Sequence, residues 1–259
     1  MSVMFLASFF LLIHIGMCMD RSLQERLKPV LAEARSEKGR RLPSERELMT
    51  RFGTTRITLR EALNALEAEG RVYRENRRGW FVSPPRLRYD LLACLPFHEM
   101  VRSQQRSART LLLSAEEVMA PAVVARRLGI AEHAPVYRIC RARLVDERRV
   151  LYVEHHLLPS CFPQILEFDL ARESLTELYR REYGIRVGRV SYELGTCVLS
   201  SAGADALNAV RGSPAQRISR INHDQNGRAI DCDDEYWRHD AIELTLSAAP
   251  QGGEAIRTS

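Results

Sequence analysis

The sequence predicts an α+β protein in two parts, a helical N-terminal domain closed by a β-hairpin and a C-terminal domain built on an antiparallel sheet. Three observations carry this. Residues 42–70 place apolar side chains at helical spacing and stop twice on glycine, at Gly53 and Gly70. Directly after them, Val72-Tyr73 and Trp80-Phe81-Val82 are β-prone arms around the polar stretch Glu75-Asn76-Arg77-Arg78-Gly79. From Val136 onward, β-rich runs alternate with polar turns and short helical patterns, the order of an α+β domain. At 259 residues and 45% apolar content, the chain has material for two globular cores.

Leu23, Leu27, Val30, Leu31 and Ala34 form one stripe and predict a first helix over residues 22–34. The next begins at Pro43-Ser44, where Ser44 and Glu47 stand at capping-box spacing and Leu48 and Phe52 share a face. After the turn Thr54-Thr55, a third helix carries Leu59, Ala62, Leu63 and Leu66 at i, i+3, i+4 and i+7. Two short helices joined by a tight turn and followed by a basic hairpin make a winged helix-turn-helix. With Leu59 to Leu66 on the core, about 100° per residue puts Ile57, Arg60, Glu61 and Asn64 on the opposite face, flanked by Arg56 and Thr58. That face suits a DNA major groove. Arginine reads guanine, isoleucine touches a thymine methyl, and the Thr55 and Thr58 hydroxyls at the helix start meet phosphate. A solvated helix face is the plainer account of such charges, and the ordered set of turn, caps and wing argues against it. The charge distribution agrees: residues 20–88 hold 17 Lys+Arg against 10 Asp+Glu, and the rest 21 against 23.

These residues resemble the DNA-binding domain of the GntR family of bacterial transcription regulators. The matching pieces are Leu42-Pro43-Ser44-Glu45-Arg46-Glu47-Leu48, Gly53, Thr55-Arg56-Ile57-Thr58-Leu59-Arg60, Leu66, Gly70 and Gly79 with Phe81-Val82. The resemblance implies DNA contacts from Arg46, Thr55, Arg56, Thr58 and Arg60 and from the wing tip, Asn76, Arg77, Arg78 and Gly79. Many members have Gly-Lys-Gly in the wing, where this chain has Arg77-Arg78-Gly79-Trp80.

Residues 1–19 contain no charged side chain, yet the apolar run is short for a membrane span and lacks both a basic start and a cleavage site. We read them as an over-extended start, with translation expected from Met17 or Met19 and no membrane anchor. After the wing, Ser83-Pro84-Pro85 begins a stiff linker. The expected division is a winged helix over 20–84, a linker over 85–91, an effector domain over 92–248 and a flexible tail over 249–259.

In the second domain, Ser114-x-x-Glu117 reads as a further capping box and Pro121 to Leu128 as a short helix ending at Gly129. Val136 to Val145 and Val150 to Leu158 should pair antiparallel across Asp146-Glu147-Arg148-Arg149. Ser174 caps a helix to Gly184, Val187 to Leu199 is a strand, and Ala202 to Val210 is helical. Asn226-Gly227 joins two strands, Arg217 to Asp224 and Arg228 to Trp237, through an expected type I′ turn.

The sequence carries no catalytic motif that we can place. The six cysteines, at 18, 94, 140, 161, 197 and 232, lack metal or disulfide spacing and read as reduced thiols. His155-His156 are strand neighbours pointing to opposite faces, a poor pair for one metal. What remains is charge on alternating strand positions: Arg141 with Arg143, Glu154 on the partner strand, and Asp231, Asp233, Glu235 and Trp237 along the last one. This is either a solvated sheet edge or a pocket with a cationic and an anionic end, fit for a small zwitterion.

Leu92 to about Leu246 resembles the effector-binding (UTRA) domain of the HutC branch of GntR regulators, whose fold is similar to chorismate lyase without its activity. The matching pieces are Val136-Tyr137-Arg138 with Arg141-x-Arg143, Glu154 with Leu157-Leu158-Pro159, Ser174-Leu175-x-Glu177-Leu178-Tyr179, Tyr183-Gly184 and Asn226-Gly227-Arg228. The resemblance implies an effector pocket lined by Arg141, Arg143, Glu154, Ser174, Asp231 and Trp237. Thr54 to Thr58, Arg77 to Val82, Phe97-His98 and Glu235 to Asp240 resemble regulators of phosphonate utilisation more narrowly. The expectation is a cytoplasmic, homodimeric regulator of operator DNA, with no cofactor and no metal, answering an aminophosphonate such as 2-aminoethylphosphonate. Arg141, Arg143 and Ser174 would hold the phosphonate, Asp231, Asp233 or Glu154 the amine, and Trp237 the linker. Two rivals stand beside it: another effector, such as an amino acid, a urocanate-like carboxylate or a sugar phosphate, and an enzyme on the lyase-like domain.

Overall fold

A computed structural model describes residues 23–36 and 40–246. The reading of residues 1–19 and of the tail falls outside the described residues. The N-terminal domain packs α1 (residues 23–36), α2 (Glu45–Phe52) and α3 (Arg56–Ala68) on the hairpin of β1 (Val72–Glu75) and β2 (Gly79–Val82). Its core is the stripe read from the sequence: Leu27, Leu48, Leu59, Leu63 and Leu66 have no solvent exposure, and Trp80 of the wing closes over them. Burying each of these side chains contributes roughly 1.5–3 kcal/mol, more than the propensity of such short helices supplies. Ser44 and Glu47 bond reciprocally at 3.2 and 2.7 Å, and Gly53, at φ 60°, ends α2 in the left-handed conformation that lets the chain turn into α3. Residues 40–42 run along the wing as well, with Leu42 N donating to Trp80 O at 2.9 Å and Val82 N to Arg40 O at 2.8 Å.

The C-terminal domain is a six-stranded antiparallel sheet. Its strands are β4 (Ala108–Met119), β5 (Pro135–Val145), β6 (Arg148–Leu157), β7 (Arg189–Val198), β8 (Pro214–His223) and β9 (Ala229–Arg238), in the order β4-β5-β6-β9-β8-β7. α4 (Phe97–Ser103), α6 (Leu175–Tyr183) and a parallel pair, β3 (Leu87–Asp90) with β10 (Ile242–Thr245), cover one face. α5 (Ala122–Leu128) and α7 (Ser201–Ala206) cover the other. The protein is therefore α+β, with a winged helix-turn-helix ahead of an antiparallel sheet.

Several local expectations are corrected. The stiff segment after the wing does not stay a linker, since Leu87–Asp90 pairs with β10 more than 150 residues away in sequence. Ser114 and Glu117 cap no helix, because they sit inside β4 opposite Cys140 and Tyr137, where cross-strand pairing overrides their helical propensity. α7 ends at Ala206, short of Val210. In the β8–β9 turn Gly227 alone takes positive φ, 81°, while Asp224 Oδ1 accepts from Asn226 N and Arg228 N at 2.8 and 2.9 Å, so the turn is type I followed by a left-handed glycine. Of the five cysteines among the described residues, all free, Cys94 is exposed, while Cys140 and Cys232 are buried.

The domains meet where β1 touches the ends of β6 and β9. Fully buried Asp240 accepts from Arg148 Nη2 with both oxygens, at 2.7 and 2.6 Å, and from Ser83 Oγ at 2.6 Å, with Arg238 Nε 3.7 Å away. The Tyr73 ring lies 3.7 Å from the Arg148 guanidinium carbon and 5.0 Å from that of Arg238. Arg238 also donates to Arg74 O at 3.2 Å, and His239 Nε2 to Glu67 O at 2.7 Å.

Candidate DNA-reading face and effector cavity

Thr55 starts α3 in extended conformation, and its hydroxyl accepts from Thr58 N at 3.2 Å and lies 3.0 Å from the Thr58 hydroxyl. The two threonines thus fix the helix start and leave the Arg56 and Ile57 side chains outward, at 67% and 72% exposure. Ile57 at that exposure has no folding role, which is why it reads as a contact surface. Glu45 organises this face and was not singled out in the sequence. Its carboxylate takes Arg60 Nε at 3.0 Å and Trp80 Nε1 at 3.1 Å, with Arg56 Nε at 3.7 Å, so one side chain joins α2, α3 and the wing. Burial works against its ionised form, yet the Trp80 and Arg60 bonds win and its pKa falls.

Arg46 and Arg77 are exposed and form no ion pair among the described residues. Arg77 sits at the wing tip with φ 62°, beside Gly79 at 98°. Arg78 is less free, because it pairs with Glu75 and its guanidinium carbon lies 5.3 Å from the Phe81 ring centre. Asn76 is tied elsewhere, its backbone N–H donating to Asn208 O of the C-terminal domain at 2.9 Å.

A cavity of about 230 Å³ lies between the covered face of the sheet, α4 and the start of α6. Arg141, Arg143, Ser174, Asp231 and Trp237 line it, joined by His155, Tyr179, Arg220 and Glu235. The register explains this set. Across β5, β6, β9 and β8, Ile139 stands beside His155, His155 beside Asp233 and Asp233 beside Arg220, so the alternating partners of all four strands share one face. Glu154 does not belong to it. A two-residue turn at Asp146-Glu147 alone would place Glu154 beside Ile139, but a bulge between Arg143 and Leu144 shifts the register and puts His155 there. Glu154 faces the other way, into a groove with Arg138, Tyr152 and Ala202.

At the cationic end, Arg141 is 1% exposed and has no carboxylate partner among the described residues. Its Nη2 donates to His155 Nε2 at 2.9 Å and its Nη1 to Glu173 O at 3.3 Å, while its buried Nε has no partner among the described residues. Burial, and then the charge of Arg143, hold its pKa well below the usual arginine value. Arg143 also lacks a carboxylate partner among the described residues, its guanidinium carbon 4.8 Å from the Phe97 ring centre, and burial pushes it down to about 10. Ser174 begins α6 without spending its hydroxyl on a cap bond.

The carboxylates differ in how far they are committed. Asp233 lies behind the cavity surface and takes Arg220 Nη2 at 2.7 Å, with His155 Nδ1 3.3 Å away but not aligned for a hydrogen bond. Burial opposes its ionisation, but Arg220 and His155 win and its pKa is depressed. Glu235 accepts from Trp237 Nε1 at 2.7 Å and lies 3.9 Å from Arg220. Asp231 accepts from the Tyr179 hydroxyl at 2.5 Å on Oδ2, while its buried Oδ1 has no partner among the described residues. Burial and the neighbouring Asp233 push Asp231 up to about 6. Trp237 is 1% exposed and stacks at a tilt against Tyr89 and Phe97, at 5.7 and 6.2 Å between ring centres. An anion is thus drawn to one end, a cation to Asp231, and an apolar span to the aromatic wall.

Two families match the chain. The UTRA domain matches residues 103–243, and the bacterial regulatory proteins of the gntR family match residues 20–82. YihL of Escherichia coli K12, an HTH-type transcriptional regulator, is 28% identical over 225 residues, covering 86% of this chain and 95% of its own. NagR of Bacillus subtilis, an HTH-type transcriptional repressor, is 27% identical over 218 residues, covering 84% and 89%. Among solved structures, PhnF from Mycobacterium smegmatis aligns with a TM-score of 0.62 at 28% identity, over 86% of this chain and all of that one.

Proposed function

The chain belongs to the GntR family of bacterial transcription regulators and, within it, to the HutC branch that carries a UTRA effector domain; from that membership we propose that its effector is an aminophosphonate such as 2-aminoethylphosphonate. It is a DNA-binding, effector-responsive regulator and not an enzyme. The observation that carries the ligand reading is the pair of guanidiniums, Arg141 and Arg143, at one end of the cavity with no carboxylate at ion-pair distance among the described residues. Buried charge of that kind is stable when an anion completes it, and planar guanidinium forks match tetrahedral oxygens with charge-assisted bonds. Ser174 adds its hydroxyl and the start of α6. The amine goes to Asp231, because Asp233 and Glu235 already serve Arg220, His155 and Trp237. Trp237 walls the linker between the two charged groups.

On the DNA side, Arg56, Ile57 and Arg60 read the groove, while Arg46, Thr55, Thr58 and the wing tip at Arg77, Arg78 and Gly79 hold phosphates. The protein acts in the cytoplasm as a homodimer on a short inverted repeat, with half-sites about one helical turn apart. Among the described residues no helix is long and apolar enough to cross a membrane. Calorimetry of the full chain with 2-aminoethylphosphonate tests the ligand. We expect binding that weakens at least tenfold in Arg143→Ala with operator affinity kept. No heat, or equal affinity in parent and variant, rejects the ligand and the cavity together.

A further inference from the structure

We propose that His155 is a positioning residue for the anion-binding end of the cavity: as a neutral acceptor it tethers the Arg141 guanidinium without cancelling its charge. The proposal rests on the cationic end described above and concerns how that end is kept cationic. Arginine carries only donors, so the 2.9 Å contact between Arg141 Nη2 and His155 Nε2 makes that ring nitrogen the acceptor and puts the ring proton on Nδ1. Nδ1 lies 3.3 Å from Asp233 Oδ2, and the same oxygen takes Arg220 Nη2 at 2.7 Å. Arg220 therefore anchors Asp233, whose carboxylate lies beside Nδ1 without an aligned hydrogen bond and favours the ring proton there by charge, while the Nε2 lone pair faces Arg141. The register brings these residues side by side on four strands, so the chain of contacts is built into the sheet.

Arg141 and Arg220 differ in a way that separates their roles. Arg220 faces two carboxylates and is neutralised. Arg141 is held by two neutral acceptors, the His155 ring and the Glu173 carbonyl, and keeps its whole charge for whatever enters the cavity. A carboxylate at position 155 would supply an internal counter-ion in competition with the effector. An apolar side chain there would leave a buried guanidinium with one bond and no fixed direction. The groups that act on the ring are Arg141, Arg143 and Asp233, and burial with Arg141 as the next contribution pushes its pKa down to about 3, so the ring stays uncharged at neutral pH.

The test has two arms on the full chain. Nitrogen-15 NMR of the histidine rings, with the His155 signal identified by its loss in His155→Gln, should show a neutral ring protonated on Nδ1 that does not titrate between pH 5.5 and 8. A charged ring or an Nε2–H tautomer overturns the proposal whatever the ligand. In the second arm, calorimetry with 2-aminoethylphosphonate and with inorganic phosphate compares the parent, His155→Gln, His155→Leu, Arg141→Ala and the Arg141→Ala/His155→Leu double variant. His155→Gln, which can accept from Arg141 and donate to Asp233, should stay within about threefold of the parent. His155→Leu should weaken binding tenfold or more, and in an Arg141→Ala background it should add no further loss. A neutral His155→Leu, or losses that multiply in the double variant, shows that His155 does not act through Arg141 and refutes the proposal. If neither anion binds the parent, the aminophosphonate reading fails and the tautomer measurement alone decides the role of His155.

Discussion

Asp240→Asn is the sharpest probe of how the two domains are joined. The substitution keeps the shape and removes the charge that Arg148 and Arg238 share, leaving two guanidiniums at 6% and 5% side-chain exposure without an anion. Breaking a buried pair by removing one partner costs about 3–5 kcal/mol, whereas Ser83→Ala, which deletes a single bond to the same carboxylate, should cost about 1.5–3 kcal/mol. The chain's two tryptophans make the assay, since Trp80 reports on the winged domain and Trp237 on the effector domain. Urea unfolding of Trp80→Phe and Trp237→Phe backgrounds, with and without Asp240→Asn, should show one shared midpoint moving apart into two. Burial raises the Asp240 pKa, but Arg148 and Arg238 outweigh it and the folded value is lowered. Its contribution is therefore present above the unfolded carboxylate value of about 3.9 and lost as pH falls through the lower folded value. The parent-to-variant difference should hold steady from pH 8 to 5 and shrink below about pH 4. Unchanged midpoints at pH 7 would refute the reasoning.

The other predictions address the two sites. Arg56→Ala should lose about 1–3 kcal/mol of discrimination at one operator position, seen by competition binding with base-substituted operators. Arg77→Ala should weaken all sequences alike and reduce the slope of log affinity against log salt by about one, and an unchanged slope would remove the wing tip from the phosphate contacts. Leu63→Ala, which empties a fully buried position between α1 and α3, should destabilise the winged domain by about 2–5 kcal/mol in thermal melts while leaving effector binding by the C-terminal domain intact. Because burial and Asp233 push Asp231 up to about 6, the affinity for 2-aminoethylphosphonate should rise from pH 5 to 7 more steeply than that for methylphosphonate, which lacks the amine. Asp231→Asn should erase that extra slope, and calorimetry at several pH values checks it.

The winged domain was legible because each of its signals is local. The stripes on α1 and α3, the Ser44–Glu47 box and the stop at Gly53 depend on neighbours within one turn, and all recur in the structure. The sheet was legible by strand and less so by register. Arg141 and Arg143 share a face by alternation alone, as do Asp231 and Trp237. Which β6 residues join them depends on one bulge, and the sequence around Val150 carries no glycine or other mark of it. That single shift exchanges Glu154 for His155. β4 was missed because Ser114-Ala115-Glu116-Glu117 favours a helix locally, and β3 and β10 because their partners are distant in sequence. Arg220 stands opposite Asp233 only through a second register shift, between Asn222 and His223, which the observed turn alone does not supply.

Along β9 the pleat divides one strand between two tasks. Asp231, Asp233, Glu235 and Trp237 point toward the cavity, while Arg238 turns to the other side and reaches the winged domain, two residues before Asp240. Substitution at the odd positions changes what the cavity accepts and leaves the joint alone. Substitution at Arg238 or Asp240 changes the joint and leaves the cavity lining alone. A lineage can therefore retrain this protein to sense a new molecule without having to reinvent how the message reaches DNA.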